Sequence, residues 1–398
     1  MEFNKLTIKD VDIREKRVLI RVDFNVPLDD ERNITDDRKI VAHLPTINYA
    51  LSQDAKIILM SHLGRPKGKV VNKLSLIPIA LKLSQLLKIK VALTHDCIGD
   101  NVKKLVMEMK PRQVILLENL RFHPEEEAND EGFAKELASL GEVYVDDAFS
   151  SVHRAHASIS AITNYFEQAV SGFLLKEEIE YLSRVLLNPE RPIYIVMGGA
   201  KVSSKIGVID HLLDKVDKLI IGGGMVYTFL AAQGKNVGRS LLEKDNIDEV
   251  NKILINAKKY NVEILFPTDH LIADAIKEDA KTQIVTDNIP NDWIGVDIGP
   301  ETIKRFTHVL KEAKTIFWNG SMGIFEIDKF SHGTYAIANA IANANALSIA
   351  GGGETDAVID KLGLEDKISH ISTGGGACLE FLEGRELPGI KALTNKDG

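Results

Sequence analysis

The chain has 398 residues, of which 44% are hydrophobic and 27% are charged, and its formal net charge is −8. The length predicts two domains, since one core usually stops growing at about 250–300 residues, and the acidic balance disfavours nucleic acid as a partner. Two cysteines give no disulfide framework, and the chain shows neither a signal peptide nor an apolar run of ~20 residues, which predicts a cytoplasmic protein without a membrane partner.

Short apolar runs alternate with amphipathic segments along the whole chain, a pattern typical of an α/β fold built on parallel sheets. In the first half, the apolar runs end in polar side chains, as in RVLIRVDFN, KIILMSH, QVILLENLRF and VYVDDAF. These side chains are Asp23, Asn25, His62, Arg121 and Asp147. Ligands of open α/β sheets bind outside the carboxyl ends of the strands. These side chains therefore predict a site for a small anion that carries hydroxyl groups.

Basic residues are concentrated at and just beyond these strand ends. They are Arg21, Arg38, Arg65, Arg121, Arg154, His62, His153 and His156. Guanidinium groups bind phosphate and carboxylate bidentately, so a ligand with both groups would occupy several arginines at once. Any one of these arginines could instead be a surface ion pair, and Arg21 is the weakest candidate because it faces away from Val22 on the strand.

An amphipathic helix is predicted near the middle of the chain. Leucine and isoleucine recur every three or four residues from Leu175 to Leu186, and Pro189 and Pro192 follow. Glu180 and Arg184 lie one turn apart and could form an ion pair. We interpret the segment as a helix that joins two domains, and an ordinary crossover helix inside one larger sheet is the alternative.

The apolar runs of the second half end in glycine. IYIVMGG, LIIGGG, TIFWNG, LSIAGGG and ISHISTGGG all do so, which brings backbone N–H groups close to any bound phosphate. GGAKVSSK follows a strand and is predicted to open a helix with Lys201 and Lys205 on one face. The segment is not a Walker A loop, and no G-x-G-x-x-G follows a strand, which disfavours a dinucleotide site.

Two carboxylates accompany the glycine loops. Glu326, in WNGSMGIFE, could accept hydrogen bonds from ribose hydroxyls. Glu354 and Thr355 follow a glycine loop at a predicted helix start, where capping is the alternative role. A carboxylate beside a polyphosphate also suits Mg²⁺, which takes one or two carboxylates together with phosphate oxygens and water.

The chain resembles the phosphoglycerate kinase family along essentially its whole length. The resemblance is carried by nine motifs in the family's order: RVDFNVPLD, SHLGRP, LLENLRF, DDAF with HRAHAS, GGAKVSSKI, GGGMVYTFL, WNG with MGIFE, GGGET and STGGGA. It implies two doubly wound parallel-sheet domains joined by a hinge helix. Residues 1–173 would bind 3-phosphoglycerate, 174–190 would form the helix, 191–378 would bind ATP or ADP, and the tail 379–398 would pack back on the first domain.

The resemblance also implies a role for individual residues. The phosphoglycerate-binding positions are Asp23, Phe24, Asn25, Arg38, His62, Leu63, Gly64, Arg65, Arg121 and Arg154. The nucleotide-binding positions are Lys201, Lys205, Gly295, Glu326, Gly352, Gly353, Glu354 and Thr355. The residues at the transferring phosphoryl group are Arg38, Lys201, Gly374 and Gly375.

Three positions depart from the family pattern. Glu354 stands where the family usually has Asp as its Mg²⁺ contact, so its longer side chain could shift the metal or bind it through water. Ser321 replaces the proline of WNGPMG, and Ser150 replaces the glycine that usually follows DAF. None of the three removes a charge that the reaction needs.

The implied reaction is the reversible transfer of a phosphoryl group between ATP and the carboxylate of 3-phosphoglycerate. The nucleophile is already an anion, so no general base is required. The resemblance implies a monomeric hinge enzyme in which catalysis comes from positioning and charge neutralisation in a closed site that excludes water. One competing interpretation, an NAD-dependent oxidoreductase, lacks its dinucleotide fingerprint. The other is a non-catalytic nucleotide-binding protein with a degenerate kinase site.

Overall fold

The computed structural model describes residues 3–397, and the chain divides into two compact units. The first unit contains the described residues up to Glu180 together with those from Glu386 onward. The second unit is Tyr181–Arg385. Each unit is built on its own six-stranded parallel sheet, which confirms the predicted α/β fold class.

The first unit has a parallel sheet whose strands lie in the order β3-β4-β2-β1-β5-β6. The strands are β1 (Arg17–Arg21), β2 (Lys56–Met60), β3 (Val91–Leu93), β4 (Val114–Leu116), β5 (Val143–Asp146) and β6 (Ala169–Ser171). The two central strands β1 and β2 are almost entirely buried, as expected for strands covered by helices on both faces. Valine, isoleucine and leucine from these strands form the core of the unit.

Helices cover both faces of this sheet. They are α1 (Arg38–Ala42), α2 (Leu44–Ser52), α3 (Ile77–Leu87), α4 (Asp100–Met107), α5 (Pro124–Glu127) and α6 (Glu131–Ala138). Helix α3 packs Ile79, Ala80 and Leu83 into the core and begins next to Pro78, which is tolerated in a first turn because its missing N–H would have no partner there.

Helix α7 (Phe173–Leu186) is the amphipathic helix predicted near the middle of the chain, and the boundary between the units falls within it. It ends at Leu186, three residues before Pro189, rather than at residue 190. The predicted pairing partner of Arg184 is also different: Glu180 pairs with Lys176 at 3.5 Å, and the Arg184 guanidinium lies over the ring of Tyr181. The helix therefore has the predicted pattern but its charges interact with other neighbours.

The second unit has nine strands within its described residues. They are β7 (Ile193–Met197), β8 (Lys218–Ile221), β9 (Glu263–Leu265), β10 (Asp269–Ala273), β11 (Thr282–Thr286), β12 (Ile294–Ile298), β13 (Thr315–Asn319), β14 (Leu347–Gly351) and β15 (His370–Ser372). Six of them form a parallel sheet in the order β15-β14-β13-β7-β8-β9. The other three form a small antiparallel sheet in the order β11-β10-β12, which the sequence patterns did not predict.

The helices of the second unit again alternate with its parallel strands. They are α8 (Ile206–Leu212), α9 (Val226–Ala232), α10 (Ile247–Tyr260), α11 (Pro300–Leu310), α12 (His332–Ala342), α13 (Gly353–Leu362) and α14 (Gly376–Leu382). The core joins Trp318 of β13 to Phe306 of α11 and Ile337 of α12. The indole N–H of the buried Trp318 is satisfied by the carbonyl oxygen of Gly320 at 2.9 Å.

The C-terminal segment returns to the first unit. Helix α15 (Pro388–Ala392) is followed by a backbone hydrogen bond from Leu6 to the Thr394 carbonyl oxygen and another from Thr394 to the Ala169 carbonyl oxygen, each at 2.9 Å. Residues 379–385, which the sequence analysis assigned to the tail, lie in the second unit: 379–382 complete α14, and 383–385 follow it. The segment that packs on the first unit therefore begins at Glu386.

Candidate active site

The predicted polar residues of the first unit lie at one edge of its sheet. Strand β1 lies between β2 and β5 and is parallel to both, and Arg21 at its end is opposite Met60 and Asp146. The segments that follow these three strands therefore start next to one another. The strand order changes direction between β1 and β5, and such a switch point is where open α/β sheets bind ligands. The segments 22–25, 61–65 and 147–154 therefore begin at the same edge of the sheet.

Asp23 is held as a buried carboxylate at this edge. Its Oδ2 accepts a hydrogen bond from Lys39 Nζ at 2.7 Å and another from the Ser150 hydroxyl, and its Oδ1 accepts the N–H of Asn25 at 3.0 Å. Burial alone would raise the pKa of Asp23, but the Lys39 ammonium and the hydrogen bonds from Lys39 and Ser150 hold it well below its usual range. Asp23 is therefore a fixed hydrogen-bond acceptor.

His62 is neutral at this site. Burial is the main cause that lowers the pKa of His62 well below the usual value; the attraction of Asp23 opposes it, and the positive charges of Arg21 and Arg121 add to it. Arg21 Nη2 donates to His62 Nδ1 at 3.2 Å, so the ring proton of the neutral histidine is on Nε2. Arg21, the weakest candidate in the sequence, is fully buried and also donates to Ser158 Oγ at 2.9 Å. It supports His62 from inside the unit.

Asn25, Leu63, Gly64 and Arg121 form a connected set. Asn25 Oδ1 accepts the N–H of Gly64 at 2.8 Å, and Arg121 Nη1 donates to the Gly64 carbonyl oxygen at 3.0 Å. Asn119 fixes the same loop by donating to the Leu63 carbonyl oxygen at 2.8 Å. Burial lowers the pKa of Arg121 to about 10, so its guanidinium remains charged at neutral pH and is poorly solvated. A buried cation of this kind favours an anionic ligand.

The other three predicted arginines have exposed side chains, unlike Arg21 and Arg121. Arg65 and Arg154 are exposed, and Arg154 Nε contacts His153 Nε2 at 3.1 Å. Arg38 is also exposed, and its Nε donates to both carboxylate oxygens of Asp36, at 3.0 and 3.1 Å. The predicted catalytic arginine therefore already has a carboxylate partner. Burial lowers the pKa of His153 to about 4, so that ring is neutral at pH 7.

Sequence reasoning missed the groups that support Asp23 and its neighbour Phe24. The Asp23 N–H donates to His43 Nε2 at 2.9 Å, so His43 carries its proton on Nδ1 and donates it to Asp147 at 3.0 Å. The Phe24 N–H donates to Ser61 Oγ at 2.8 Å. His43 lies inside an amphipathic stretch and not at a strand end, so no sequence signal distinguished it from an ordinary helix residue.

The second unit contains a cavity of about 410 Å³ at the carboxyl edge of its parallel sheet. The volume lies within the roughly 300–1,000 Å³ of small-molecule sites. Gly295, Glu326 and Glu354, three of the predicted nucleotide-binding residues, line it. One wall is β12 of the unpredicted antiparallel sheet, and a side chain at Gly295 would collide with the Tyr227 hydroxyl. Glycine is therefore required for the strand to lie this close to Tyr227.

Lys201 and Lys205 are not on one helical face, so that prediction is wrong. Helix α8 begins at Ile206, and the residues before it form a turn in which the Lys205 N–H donates to the Val202 carbonyl oxygen at 2.8 Å. Ser203 stabilises the turn because its hydroxyl donates to Glu243 at 2.6 Å. Lys201 is exposed, whereas Lys205 is buried and its pKa is lowered to about 8 by that burial.

Glu354 and Lys205 meet at Gly199. A Cβ built on Gly199 would lie 3.0 Å from Glu354 Oε2 and 3.3 Å from Lys205 Nζ, so a side chain here would crowd both groups. Glu354 Oε1 accepts no hydrogen bond within residues 3–397 and is available to a ligand. A free carboxylate oxygen on a residue that lines the cavity fits Mg²⁺, whose coordination shell would be completed by phosphate oxygens and water.

The remaining glycine loops have distinct local roles. Gly352 precedes α13, so Gly353 and Glu354 occupy its first turn, where backbone N–H groups lack intrahelical acceptors. Thr355 is fully buried, and its Oγ1 accepts the N–H of Gly320 at 2.8 Å, which joins the loop after β13 to the first turn of α13. Thr355 therefore stabilises the loops with its side chain.

Gly374 and Gly375 lie between β15 and α14. The Gly374 N–H donates to Ser372 Oγ at 3.2 Å, and Gly375 has a φ of +51°. A Cβ at Gly375 would have no atom within 4 Å, so backbone conformation rather than crowding favours glycine there. The two glycines follow β15, which pairs with β14 in the sheet. Strand β14 is itself followed by the glycine loop that leads into Glu354.

One further group of potential metal ligands lies in the first unit. Asp96, Cys97 and His123 each offer a ligand atom, and these atoms lie within 4.8 Å of one another. His123 Nε2 contacts Asp96 Oδ1 at 2.7 Å, and burial raises the pKa of the Cys97 thiol well above its usual value. Metals bind the thiolate form of cysteine, and the raised pKa keeps the Cys97 thiol protonated. We therefore interpret the group as an Asp–His pair that packs beside a thiol.

Comparison with known proteins identifies the family. The family model described as phosphoglycerate kinase matches residues 8–385. The chain is 52% identical over 395 residues to the phosphoglycerate kinase of Chlorobium chlorochromatii, covering 98% of this chain and 100% of that protein. It is 53% identical over 403 residues to that of Acidobacterium capsulatum, covering 99% and 100%.

Solved structures give the same result. The structure of phosphoglycerate kinase from Coxiella burnetii matches with a TM-score of 0.89 and 43% identity over 98% of both chains. That from Pyrococcus horikoshii matches with a TM-score of 0.84 and 31% identity, also over 98% of both. No helix within residues 3–397 is long and apolar enough to cross a membrane. Nothing in these comparisons favours a non-catalytic protein: the chain belongs to the phosphoglycerate kinase family and is a phosphotransferase with a carboxyl group as its acceptor.

Proposed function

We propose that the first unit binds 3-phosphoglycerate and the second binds ATP or ADP with Mg²⁺. The observation that supports this division is that each sheet has its own anion-binding edge. The first has the poorly solvated Arg121 guanidinium beside the neutral His62. The second has the buried Lys205 ammonium beside a cavity lined by glycine backbone.

On the first unit, the arginines would bind the phosphate and carboxylate of 3-phosphoglycerate, and Asp23 and Asn25 would orient its hydroxyl. Arg65, Arg121 and Arg154 supply the positive charge. His62 contributes a neutral Nε2–H donor, since its Nδ1 accepts from Arg21. Phe24, Leu63 and Gly64 shape the loop that Asn25 and Arg121 hold in place.

On the second unit, the cavity beside Gly295 would take the nucleoside, with Glu326 accepting from its ribose. Lys205 and the loop Gly352, Gly353, Glu354 and Thr355 would lie along the phosphates. Glu354 would be the protein ligand of Mg²⁺, which when bound supplies positive charge to the phosphate oxygens. Because Thr355 uses its hydroxyl on Gly320, its contribution would come from backbone.

The acceptor carboxylate is already a nucleophile, so the protein needs no general base. The barrier is the approach of two anions, and the catalytic requirement is positive charge on the oxygens of the phosphoryl group in flight. We assign that role to Arg38, Lys201 and the N–H groups of Gly374 and Gly375, and the Gly374 N–H would first have to leave its present acceptor, Ser372 Oγ. Arg38 would exchange its Asp36 partner for the phosphoryl oxygens, which costs one exposed ion pair.

We further propose that hinge closure brings the two bound substrates together and excludes water, and that the enzyme is a cytoplasmic monomer without nucleic-acid partners. Water exclusion matters because the acyl phosphate product is readily hydrolysed. Small-angle scattering tests closure: the radius of gyration should fall when both ligands are present. An unchanged value with both ligands bound would contradict it.

Binding of each ligand to its own unit can be tested by calorimetry. Arg121→Ala should abolish detectable 3-phosphoglycerate binding and leave ADP binding unchanged. Lys205→Met should do the reverse, because Lys205 lies in the other unit. Loss of both ligands in either folded variant would contradict the proposed division.

A further inference from the structure

Ser321 contacts the carboxylate of Glu354 inside the nucleotide cavity. The Ser321 hydroxyl donates to Glu354 Oε2 at 3.2 Å, and the Ser321 N–H lies 3.4 Å from the same oxygen. Both residues line the cavity, and Ser321 is only 6% exposed. The two donors come from one residue and act on one oxygen, so they restrict where the exposed Glu354 side chain can place its other oxygen.

The backbone around Ser321 is fixed independently of its side chain. Its carbonyl oxygen accepts the N–H of Gly199 at 2.7 Å, which ties the loop after β13 to the loop after β7. The neighbouring Gly320 N–H is bound to Thr355. Ser321 therefore presents its two donors from a rigid position, while Glu354 has three rotatable bonds between its backbone and its carboxylate.

Two departures from the family pattern noted in the sequence are thus in contact with each other. A proline at position 321 would have neither a hydroxyl nor a backbone N–H, and both donors to Glu354 would be lost. An aspartate at position 354 would be one methylene shorter, and its carboxylate would draw back from Ser321. The glutamate at position 354 is long enough to reach position 321, and the serine at position 321 has the two donors that bind its carboxylate.

We propose that Ser321 is a positioning residue for Glu354, holding Oε2 so that Oε1 faces the metal–nucleotide complex. The inference rests on the proposed role of Glu354 as the metal ligand. Ser321 would then affect how much Mg²⁺ strengthens nucleotide binding, and would leave binding of the metal-free nucleotide nearly unchanged. A merely structural serine would affect both to the same extent.

The test is ADP binding by calorimetry with Mg²⁺ and again with EDTA, in wild type and variants. Ser321→Ala removes the hydroxyl donor and keeps the N–H, so it should weaken Mg²⁺–ADP binding about three- to ten-fold, the effect of losing one partly exposed hydrogen bond to a charged group. Binding of metal-free ADP should change less than about two-fold. Ser369→Ala, which removes a serine hydroxyl bonded to Ser348 in the same unit, is the matched control.

A double-mutant cycle then tests whether Ser321 acts through Glu354 or independently of it. In a Glu354→Asp background, Ser321→Ala and Ser321→Pro should cost nothing further, because the shorter carboxylate no longer reaches position 321. Equal losses with and without Mg²⁺, or the same loss in both backgrounds, would overturn the inference.

Failure of this inference can be told apart from failure of the proposed function. Unchanged Mg²⁺–ADP affinity in Glu354→Ala would remove Glu354 from the metal and overturn the inference, while turnover in wild type would still establish the kinase. Absence of turnover in wild type would instead contradict the function. The binding measurements do not depend on turnover, so each result is assigned to one claim.

Discussion

The buried ammonium of Lys205 should make the affinity for the nucleotide depend on pH, and the direction of the effect follows from its lowered pKa. In the free protein its pKa is lowered to about 8, because burial outweighs the attraction of Glu354. A bound polyphosphate favours the charged form and raises this pKa. Binding is therefore strongest when Lys205 is already protonated, and it weakens as pH rises through about 8.

The magnitude follows from the fraction of Lys205 that is charged before binding. With a pKa of about 8, roughly 90% of the amines are protonated at pH 7 and roughly 10% at pH 9. If the bound form stays protonated across this range, the dissociation constant of ADP should rise about ten-fold between pH 7 and pH 9. The contribution of Lys205 to the affinity should be nearly constant below pH 7, where its amine is almost fully protonated.

The assay is calorimetry of ADP binding at several pH values, in two buffers with different ionisation enthalpies. At pH 8.5 the buffers should reveal proton uptake on binding, since Lys205 becomes charged. Lys205→Arg is the control, because arginine stays protonated throughout and its variant should bind with little pH dependence. A flat wild-type profile, or an equal ten-fold decline in Lys205→Arg, would refute the reasoning.

Three other substitutions give separate expectations. Arg38→Ala should lower kcat by about 10²–10⁴-fold with little change in ADP affinity, as loss of a transition-state charge contact does, and near-wild-type turnover would remove Arg38 from catalysis. Arg65→Ala should raise the KM for 3-phosphoglycerate roughly ten-fold in steady-state kinetics, and an unchanged KM would show that it is not a substrate ligand. Thr355→Val should lower the free energy of unfolding by about 1–3 kcal/mol in urea titration, because the buried Gly320 N–H loses its acceptor; unchanged stability would contradict that account.

The strands and the fold class could be predicted because both units use strands buried on two faces. Such strands are continuous apolar runs, and the residue types that follow them mark the edge where ligands bind. Asp23, His62 and Arg121 were predicted in this way, and the structure places them at one edge of the first unit's sheet. The small antiparallel sheet was missed because its strand β11 is mostly exposed and lacks an apolar run.

The details of the site depended on contacts that spacing does not encode. Lys201 and Lys205 were misplaced on a helix because a spacing of four residues fits both a helical turn and the turn that precedes α8. His43 was missed because its role comes from Asp147, 104 residues away. Ser321 and Glu354 each looked like a separate departure in the sequence, and only the folded chain shows that they meet.

The most direct test of the account is turnover by the purified protein with MgATP and 3-phosphoglycerate, coupled through glyceraldehyde-3-phosphate dehydrogenase to NADH oxidation. We expect oxidation that requires the protein, Mg²⁺ and 3-phosphoglycerate together, and that is slowed at least about 100-fold in Arg38→Ala. No oxidation by a folded protein that binds both ligands in calorimetry would contradict the account.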